Sequence, residues 1–256
     1  MSTCFVTSFD EKYYNISMVA VKSLGENSQD KIDLVCLVPP SLMHRQDEYA
    51  NAIGQKNLNI SFRCDQRFVD TYDDDMQSGY ITISCNHRIF IASICQEYSK
   101  AIYFDPDTII LRDLSPIINY KFNTIISALQ EFSDMNVNTF NNPDRPYFNN
   151  GVFIVNLDKW RDNDIESKLL GWQHVHGITS CPEQDAMNAI LVNDWTPMPV
   201  SFNAFAYLYQ VNQVFASQNS NPMIVHFVGP DKPWNSPEGK YRDVWLNKFN
   251  SIHENT

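Results

Sequence analysis

The sequence predicts an α/β protein in which a mixed, mostly parallel sheet is covered by flanking helices. Apolar, β-prone runs alternate with helix-like segments through the first half of the chain, which is the order that parallel strands with crossover helices require. The length of 256 residues suits one α/β domain, and no linker, repeat or low-complexity tract divides it. Two carboxylates, Asp105 and Asp107, directly follow one apolar run, at the strand end where open α/β sheets place their ligands. We therefore expect a single domain over residues 1–256.

The elements of the first half follow one another regularly. Short apolar runs bounded by polar or turn-forming residues predict strands, and apolar residues at helical spacing predict helices. The expected strands are Cys4–Thr7, Ile32–Val38, Ile60–Cys64 and Ala101–Phe104, and the expected helices are Lys12–Leu24, Ser41–Ile53 and Asn86–Tyr98.

The second half is less regular, and its elements are predicted from the same signals. Strands are expected at Thr124–Leu129, Val152–Asn156 and Met223–Phe227, and helices at Gln184–Leu191 and Tyr241–Phe249. The stretch Asp134–Pro146 contains Asn, Asp and Pro and predicts a surface loop.

Composition excludes several classes of function. The formal charge is -11 and no Lys/Arg cluster relieves it, so a nucleic-acid partner is not expected. No apolar run approaches the roughly 20 residues of a membrane-spanning helix. The N-terminus lacks a basic segment followed by a long apolar stretch, and the six cysteines contain no C-x-x-C pair. These features favour a cytoplasmic protein with buried free thiols.

Acidic residues spaced as Asp-x-Asp or as an acidic run occur at three places, and their contexts differ. Only one of them follows an apolar, strand-like run; the other two predict a solvated acidic loop and the start of a helix. The three are Asp105-Pro-Asp107, Asp73-Asp74-Asp75 and Asp162-Asn-Asp164. Two carboxylates behind a buried strand need a cation, because burying them unpaired is costly. The alternative is a turn set by Pro106, with both acids facing water.

A histidine and a lysine follow another apolar run. In the segment Ile224-Val-His226-Phe-Val-Gly229-Pro-Asp-Lys232, a neutral imidazole could complete the site of Asp105 and Asp107 for a cation such as Mn²⁺. Lys232 could then meet a phosphate as a point charge, and Gly229 would let the backbone approach it. The alternative is a core histidine beside a turn.

Two further segments carry polar side chains next to buried elements. Asn149-Asn150-Gly151 precedes a buried strand, and amide side chains suit sugar hydroxyls because they both donate and accept hydrogen bonds. The alternative is a turn with left-handed Asn and Gly. The run Glu183-Gln184-Asp185 opens a predicted helix, where the acids also fit simple complementation of the helix dipole.

Taken in order, these segments resemble glycosyltransferase family 8, the family of glycogenin, galactinol synthase and bacterial lipooligosaccharide galactosyltransferases. The resemblance covers about residues 3 to 235, and its ordered set of motifs is far more specific than any one of them. The matching pieces are Phe5-Val-Thr7, Tyr-Phe-Asp105-Pro-Asp107 with Leu111-Arg-Asp-Leu-Ser, Tyr147-Phe-Asn-Asn-Gly-Val, Val155-Asn-Leu-Asp-Lys-Trp160-Arg, Glu183-Gln-Asp-Ala-Met-Asn and His226-Phe-Val-Gly-Pro-Asp-Lys-Pro-Trp234.

The resemblance implies the Rossmann-like nucleotide-diphospho-sugar transferase fold, known as the type A glycosyltransferase fold. It also implies transfer of a hexose, glucose or galactose, from a UDP-sugar to an acceptor hydroxyl with retention of configuration, with Mn²⁺ or alternatively Mg²⁺ as cofactor. The implied metal ligands are Asp105, Asp107 and His226, and the implied diphosphate contacts are Gly229 and Lys232. The implied contacts to the rest of the donor are Thr7, Asp10, Tyr13, Arg88, Asp105, Asn149 and Asn150, and the implied catalytic residues are Glu183, Gln184 and Asp185.

One departure concerns Glu183, because many members of the family carry Asp at that position, although galactinol synthases share the Glu. Its longer side chain would shift the carboxylate by about one bond length, which matters for positioning. Gln184 is a poor nucleophile, and Asp185 or Glu183 could act as one only with suitable geometry.

Two alternatives remain open at this point, and so do the acceptor and the oligomeric state. The spacing of Tyr209 to His226 resembles that of the acceptor tyrosine in glycogenin, which would make the protein self-glucosylating. A catalytically silent UDP-sugar-binding protein is the other alternative. The acceptor is a carbohydrate, polyol, lipid-linked sugar or protein that the motifs do not identify, and a homo-oligomer is compatible with the sequence.

Overall fold

The computed structural model describes residues 2–71, 83–131, 146–177, 179 and 181–254. Its strands are β1 (Thr3–Ser8), β2 (Ile32–Leu37), β3 (Leu58–Arg63), β4 (Lys100–Phe104), β5 (Thr108–Ile110), β6 (Ile126–Gln130), β7 (Phe148–Asn156), β8 (Trp195–Pro197), β9 (Ala204–Phe205) and β10 (Ile224–His226).

The helices flank these strands along the described chain. They are α1 (Tyr14–Glu26), α2 (Gln46–Ile53), α3 (Gln66–Thr71), α4 (Ile91–Ile94), α5 (Ser115–Ile118), α6 (Leu157–Asp162), α7 (Ile165–His176), α8 (Pro182–Ile190), α9 (Leu208–Val211), α10 (Gln213–Gln218) and α11 (Arg242–His253), with 3₁₀ turns at Pro40–Arg45, Ile83–Phe90 and Val200–Phe202. Among the described residues, no helix has the length and apolar character needed to cross a bilayer.

The main sheet has seven strands in the order β3-β2-β1-β4-β7-β6-β8. The pairs β1–β2, β2–β3, β1–β4 and β6–β8 are parallel, whereas β7 runs antiparallel to both of its neighbours. The predicted mixed, mostly parallel α/β sheet is therefore confirmed.

Both faces of this sheet are buried, because successive side chains of a strand point to opposite sides. In β4, Ile102 and Phe104 join the core beneath α1, whereas Ala101 and Tyr103 join the core on the opposite face, beneath α6 and α7. Strands buried on both faces explain the continuous apolar runs in the sequence.

Some element boundaries differ from the sequence prediction. Of the predicted helix Asn86–Tyr98, only Ile91–Ile94 is α-helical, and the preceding turn is 3₁₀. There the Arg88 side chain donates back to the Cys85 carbonyl (2.9 Å), and isoleucines are poor helix formers. The predicted helix Ser41–Ile53 likewise opens with the 3₁₀ turn, and β7 begins four residues earlier than expected. The predicted loop Asp134–Pro146, apart from Pro146, and the run Asp73–Asp75 lie outside the described residues.

A second, smaller sheet with the order β5-β10-β9 brings distant segments together. After β4 ends, the chain turns through Asp105 and Asp107 into β5, which pairs antiparallel with β10 and places Thr108 opposite His226. The Asp105 amide donates to the Gly151 carbonyl (2.7 Å) in the main sheet, and the Phe227 amide donates to the Asp107 carbonyl (3.0 Å). The Asp-x-Asp segment thus joins the two sheets, with the end of β10 beside it.

Candidate functional site

Two carboxylates and one imidazole converge where the two sheets meet. One ligand atom from each of Asp105, Asp107 and His226 lies within 4.8 Å of the others. Nε2 of His226 is 3.3 Å from Asp107 Oδ1 and 3.7 Å from Asp105 Oδ2. Asp107 and His226 are only 8% and 4% exposed, so the alternative in which the acids face water does not hold for Asp107. The distances from Nε2 to the two carboxylate oxygens are shorter than twice a metal–ligand bond of about 2.1 Å, so an ion could bridge the imidazole and these carboxylates.

The charges of the two carboxylates are balanced by different cations. Asp105 Oδ1 accepts from Arg88 Nη2 (2.7 Å) and from the Tyr103 hydroxyl (2.9 Å). Asp107 Oδ2 accepts from Lys232 Nζ (2.6 Å), which also donates to the Phe227 carbonyl. Each carboxylate therefore keeps a second oxygen on the side of His226, and both are held in fixed orientations.

The pKa values of the two carboxyl groups are shifted in opposite directions. Burial raises the pKa of Asp105 above its usual value, although the Arg88 charge opposes the rise. Burial alone would also raise the pKa of Asp107, but Lys232 and His226 outweigh it and hold that pKa below the usual value. Asp107 is thus stabilised in its ionised form by cations already present, whereas the carboxylate of Asp105 gains from a further positive charge. Two carboxylates and an imidazole are a donor set that fits a divalent ion such as Mn²⁺ or Mg²⁺.

Gly151 is required by the space that the imidazole occupies. A Cβ atom at this position would lie 2.1 Å from Cε1 of His226 and 2.7 Å from Oδ2 of Asp105. Gly151 belongs to the extended strand β7, so the alternative of a turn with left-handed Asn and Gly does not hold here. Gly229, by contrast, has a φ of +88°, and a Cβ there would meet nothing within 4 Å. Its backbone is therefore open to close approach by a ligand.

The predicted sugar-site residues lie together at the start of α8 and along β7. Gln184 Oε1 accepts from the Asn150 amide (3.0 Å) and its Nε2 donates to the Tyr147 hydroxyl (3.2 Å). The same hydroxyl donates to Asp185 Oδ1 (2.6 Å). Gln184 thus binds α8 to β7, and Asp185 binds it to Tyr147, directly before that strand. Simple charge complementation at a helix N-terminus would not require these contacts.

Glu183 links this group to the metal ligands. Its Oε1 is 3.8 Å from Nη2 of Arg88, the same nitrogen that binds Asp105. The Arg88 Nη1 atom donates to the Asn150 carbonyl (2.8 Å). Oε2 of Glu183 and Oδ2 of Asp185 are buried without a hydrogen-bond partner in the described structure. Unpartnered buried carboxylate oxygens are costly, so both fit acceptors for hydroxyl groups of a ligand.

The N-terminal residues lie beside the loop that carries Gly229 and Lys232. Asp10 Oδ1 accepts from the Tyr13 amide (3.1 Å) at the start of α1. The Tyr13 ring packs edge-on against Trp234, with centroids 6.0 Å apart. Thr7 is fully buried at the end of β1, and its hydroxyl has no partner in the described structure. Because β1 runs parallel to β4, these N-terminal candidates for donor binding lie at the same edge of the sheet as Asp105 and Asp107.

A cavity of about 720 Å³ adjoins the site at Lys232. Its lining combines aromatic rings, amides and charges, including Tyr207, Tyr209, Gln210 and Arg242. The carboxylates of Asp105 and Asp107 are not part of this lining, so the cavity lies beside the charged centre rather than around it.

Tyr209 lines the cavity, but its hydroxyl is engaged. It donates to the Asn219 carbonyl (2.7 Å), and burial raises the pKa of Tyr209 to about 12. Its ring packs edge-on against Phe215 and Tyr241. These contacts give Tyr209 a structural role and do not favour it as an acceptor.

Three residues that contribute to the site were given no role in it by the sequence: Tyr103, Gly151 and Asn203. The strand period could have indicated Tyr103, because it lies two residues before Asp105 and so points to the same face. The roles of Gly151 and Asn203 follow only from His226 and Asn149, to which the fold brings them.

Comparison with known proteins assigns the chain to a family. A sequence model described as glycosyl transferase family 8 matches residues 4–238. General stress protein A of Bacillus subtilis is 30% identical over 212 residues, covering 73% of each chain. Lipopolysaccharide 1,2-glucosyltransferase of Escherichia coli is 24% identical over 164 residues, covering 57% of this chain and 48% of that protein.

Several relatives are longer proteins. Glycosyltransferase GlyD of Streptococcus pneumoniae is 24% identical over 266 residues, which cover 96% of this chain but only 30% of GlyD. The chain therefore spans less than half the length of several relatives that it matches.

Solved structures agree on the fold. The galactosyltransferase LgtC, in complex with donor and acceptor sugar analogs, superposes with a TM-score of 0.77 at 18% identity, covering 98% of this chain and 96% of LgtC. Glycosyltransferase GlyE of Streptococcus pneumoniae superposes with a TM-score of 0.73 at 19% identity, covering 99% of this chain and 63% of GlyE. The fold is the type A glycosyltransferase fold, and the chain belongs to glycosyltransferase family 8.

Proposed function

We propose that the protein transfers a hexose, glucose or galactose, from a UDP-sugar to an acceptor hydroxyl, with retention of the anomeric configuration. The observation that carries this proposal is the convergence of Asp105, Asp107 and His226 beside Lys232, in a chain of family 8. A divalent ion, Mn²⁺ or alternatively Mg²⁺, held by the first three residues would stabilise negative charge on the departing diphosphate.

In this proposal, each group of residues binds one part of the donor. Lys232 adds a second positive charge at the diphosphate, and the open backbone at Gly229 lets that group approach closely. The N-terminal edge residues bind the nucleotide; these are Thr7, Asp10 and Tyr13. The side chains along β7 and α8 orient the hexose through its hydroxyls; these are Asn149, Asn150, Glu183 and Gln184.

Arg88 couples the sugar site to the metal ligands. Its guanidinium spans Asp105 and the Asn150 carbonyl, with Glu183 next to it, so sugar and ion are positioned by one rigid cation. Asp185 holds Tyr147, and through it Gln184, at the back of the sugar site. Displacement of such groups by about 1 Å can cost 100-fold in rate, so we expect the network to matter as a unit.

The cavity beside Lys232 is where we place the acceptor. Aromatic faces with nearby amides and charges suit a carbohydrate or polyol, because rings cover apolar sugar faces while polar groups bind the hydroxyls. The proposal includes a cytoplasmic location and a single catalytic domain.

A UDP-release assay against a panel of UDP-sugars, with and without Mn²⁺, tests this function. We expect Mn²⁺-dependent release from UDP-glucose or UDP-galactose, with weaker support by Mg²⁺. Proton NMR of the transferred sugar tests whether the anomeric configuration is kept. UDP binding without release from any donor would instead support a silent UDP-sugar-binding protein.

The variant Asp107→Asn tests the metal assignment. We expect it to lose most turnover, because the amide weakens the metal site and leaves Lys232 without its buried carboxylate. The matched control is Asp162→Asn, which changes an exposed aspartate of the other Asp-x-Asp segment. Normal Mn²⁺-dependent transfer by Asp107→Asn would show that Asp107 is not a metal ligand.

A further inference from the structure

A buried asparagine outside the predicted site contacts the imidazole of His226. Asn203 lies just before β9, which pairs with β10 and so runs beside His226. It is 0% exposed, and its Oδ1 is 3.0 Å from Nδ1 of His226. Its Nδ2 donates to Oδ1 of Asn149 (2.9 Å). The side chain thus bridges β7 and the imidazole.

A backbone amide determines which way these amide groups point. The Gly151 N–H can only donate, and it donates to Asn149 (3.0 Å), so the Asn149 atom facing it is the carbonyl oxygen. The Asn203 atom that faces the same oxygen must then be its NH₂ group. Asn203 therefore presents its carbonyl oxygen to Nδ1 of His226, and that nitrogen carries a proton.

The consequence reaches the other side of the ring. In a neutral imidazole only one nitrogen carries a proton, so a proton on Nδ1 leaves a lone pair on Nε2. Nε2 is the nitrogen that faces Asp105 and Asp107. The chain of contacts from Gly151 through Asn149 and Asn203 thus selects the form of His226 that can bind a metal.

We infer that Asn203 is a positioning residue for the metal site: it orients His226 and fixes its tautomer so that Nε2 is a ligand. The inference rests on the proposed metal-dependent transfer. It extends that proposal by a residue that touches neither the donor sugar nor the ion. Partners of this kind typically change metal affinity by about 10–100-fold when they are removed.

A purely structural role must be distinguished from this one. Asn203 also ties β9 to β7 through Asn149, and loss of that bond could loosen the site in general. A double-mutant cycle separates the two roles, because residues that act through one another are not additive. The variants are Asn203→Leu, His226→Ala and the double variant.

The readout is Mn²⁺ affinity, measured from free Mn²⁺ by electron paramagnetic resonance, for the metal alone and with UDP present. We expect Asn203→Leu to weaken Mn²⁺ binding by about 10–100-fold in the wild-type background and to have no further effect beside His226→Ala. Equal losses in both backgrounds, or no loss in either, would overturn the inference. The control Asn57→Leu removes a half-buried asparagine that donates to the Gly25 and Ser28 carbonyls away from the site, and it should keep wild-type affinity.

A second variant covers the case in which Asn203→Leu does not fold. Asn203→Asp keeps the shape and an acceptor for Nδ1–H but loses the donor to Asn149. It should retain Mn²⁺ binding, and a loss of 10-fold or more would count against the inference. If Mn²⁺ binding depends on Asn203 through His226 but no sugar is transferred, the inference stands and the proposed function fails. If transfer depends on Mn²⁺ while the Asn203 variants bind Mn²⁺ normally, the proposed function stands and the inference about Asn203 fails. Wild-type protein that binds no Mn²⁺ even with UDP would overturn both the function and the inference.

Discussion

The substitution Gly151→Ala should damage the metal site through a single methyl group. The added Cβ would lie 2.1 Å from Cε1 of His226, whereas carbon atoms in contact are about 3.5–4.0 Å apart. The imidazole or the strand would therefore have to move by about 1.4 Å. His226 is held by Asn203 (3.0 Å), and Asp105, which is also too close at 2.7 Å, is held by Arg88 (2.7 Å). Neither neighbour can yield without breaking a buried hydrogen bond.

Two quantities should change together in this variant. Overpacking typically costs about 1–3 kcal/mol, so the thermal midpoint should fall by about 2–4 °C for each kcal/mol lost. Mn²⁺ affinity should fall by at least about 10-fold, because the displaced imidazole no longer faces both carboxylates. Thermal unfolding and a Mn²⁺ titration measure these effects independently.

Gly171→Ala provides the control, because a Cβ there meets nothing within 4 Å and the residue lies inside α7. That change should be neutral or stabilise the helix by up to about 1 kcal/mol. Wild-type Mn²⁺ affinity in Gly151→Ala would refute the argument, since it would mean that the strand or the ring relaxes without cost.

Three further outcomes are expected. Lys232→Met removes the ammonium group that pairs with Asp107, so Mn²⁺ alone should bind as tightly as before or more tightly. UDP with Mn²⁺ should bind about 10-fold more weakly, because the second positive charge at the diphosphate is lost. A loss of affinity of about 10-fold for Mn²⁺ alone in a titration would contradict this. Tyr209→Phe should lower the free energy of unfolding by about 0.5–1.5 kcal/mol, because the hydrogen bond to Asn219 is lost, and should leave transfer unchanged. Intact-mass measurement after incubation with UDP-glucose checks the alternative. A ladder of hexose additions on the wild type that is absent from the variant would support self-glucosylation. Burial lowers the pKa of His87 from 6.5 to about 3, so between these pH values the unfolded chain binds a proton that the folded protein does not bind. The free energy of unfolding should therefore fall with decreasing pH by up to about 1.4 kcal/mol per pH unit. Urea unfolding across this range should show a shallower pH dependence for His87→Gln, and an identical dependence would argue against a buried neutral histidine.

Local patterns in the sequence were enough to predict the α/β class and most of the elements. Alternating apolar runs and helical spacing are properties of neighbouring residues, and they predicted strands at β1, β2 and β4 to within a residue or two. They also singled out Asp105 and Asp107, because carboxylates directly behind an apolar strand are exceptional. Where local preference was weak, as at Asn86–Tyr98, the backbone is 3₁₀ up to Phe90, and Arg88 bonds both locally to Cys85 and over long range to Asp105 and Asn150.

The sequence by itself determined which chemical groups are available and at which strand ends they stand. Only the tertiary structure decided how those groups meet. That Gly151 must lack a side chain follows from a histidine 75 positions later, and the tautomer of His226 depends on Asn203 and Asn149, which lie in other strands or before them. These contacts arise because β5, directly after the Asp-x-Asp segment, pairs with β10 in the second sheet. The helical or strand period of a local segment carries no information about which distant segment will pack against it.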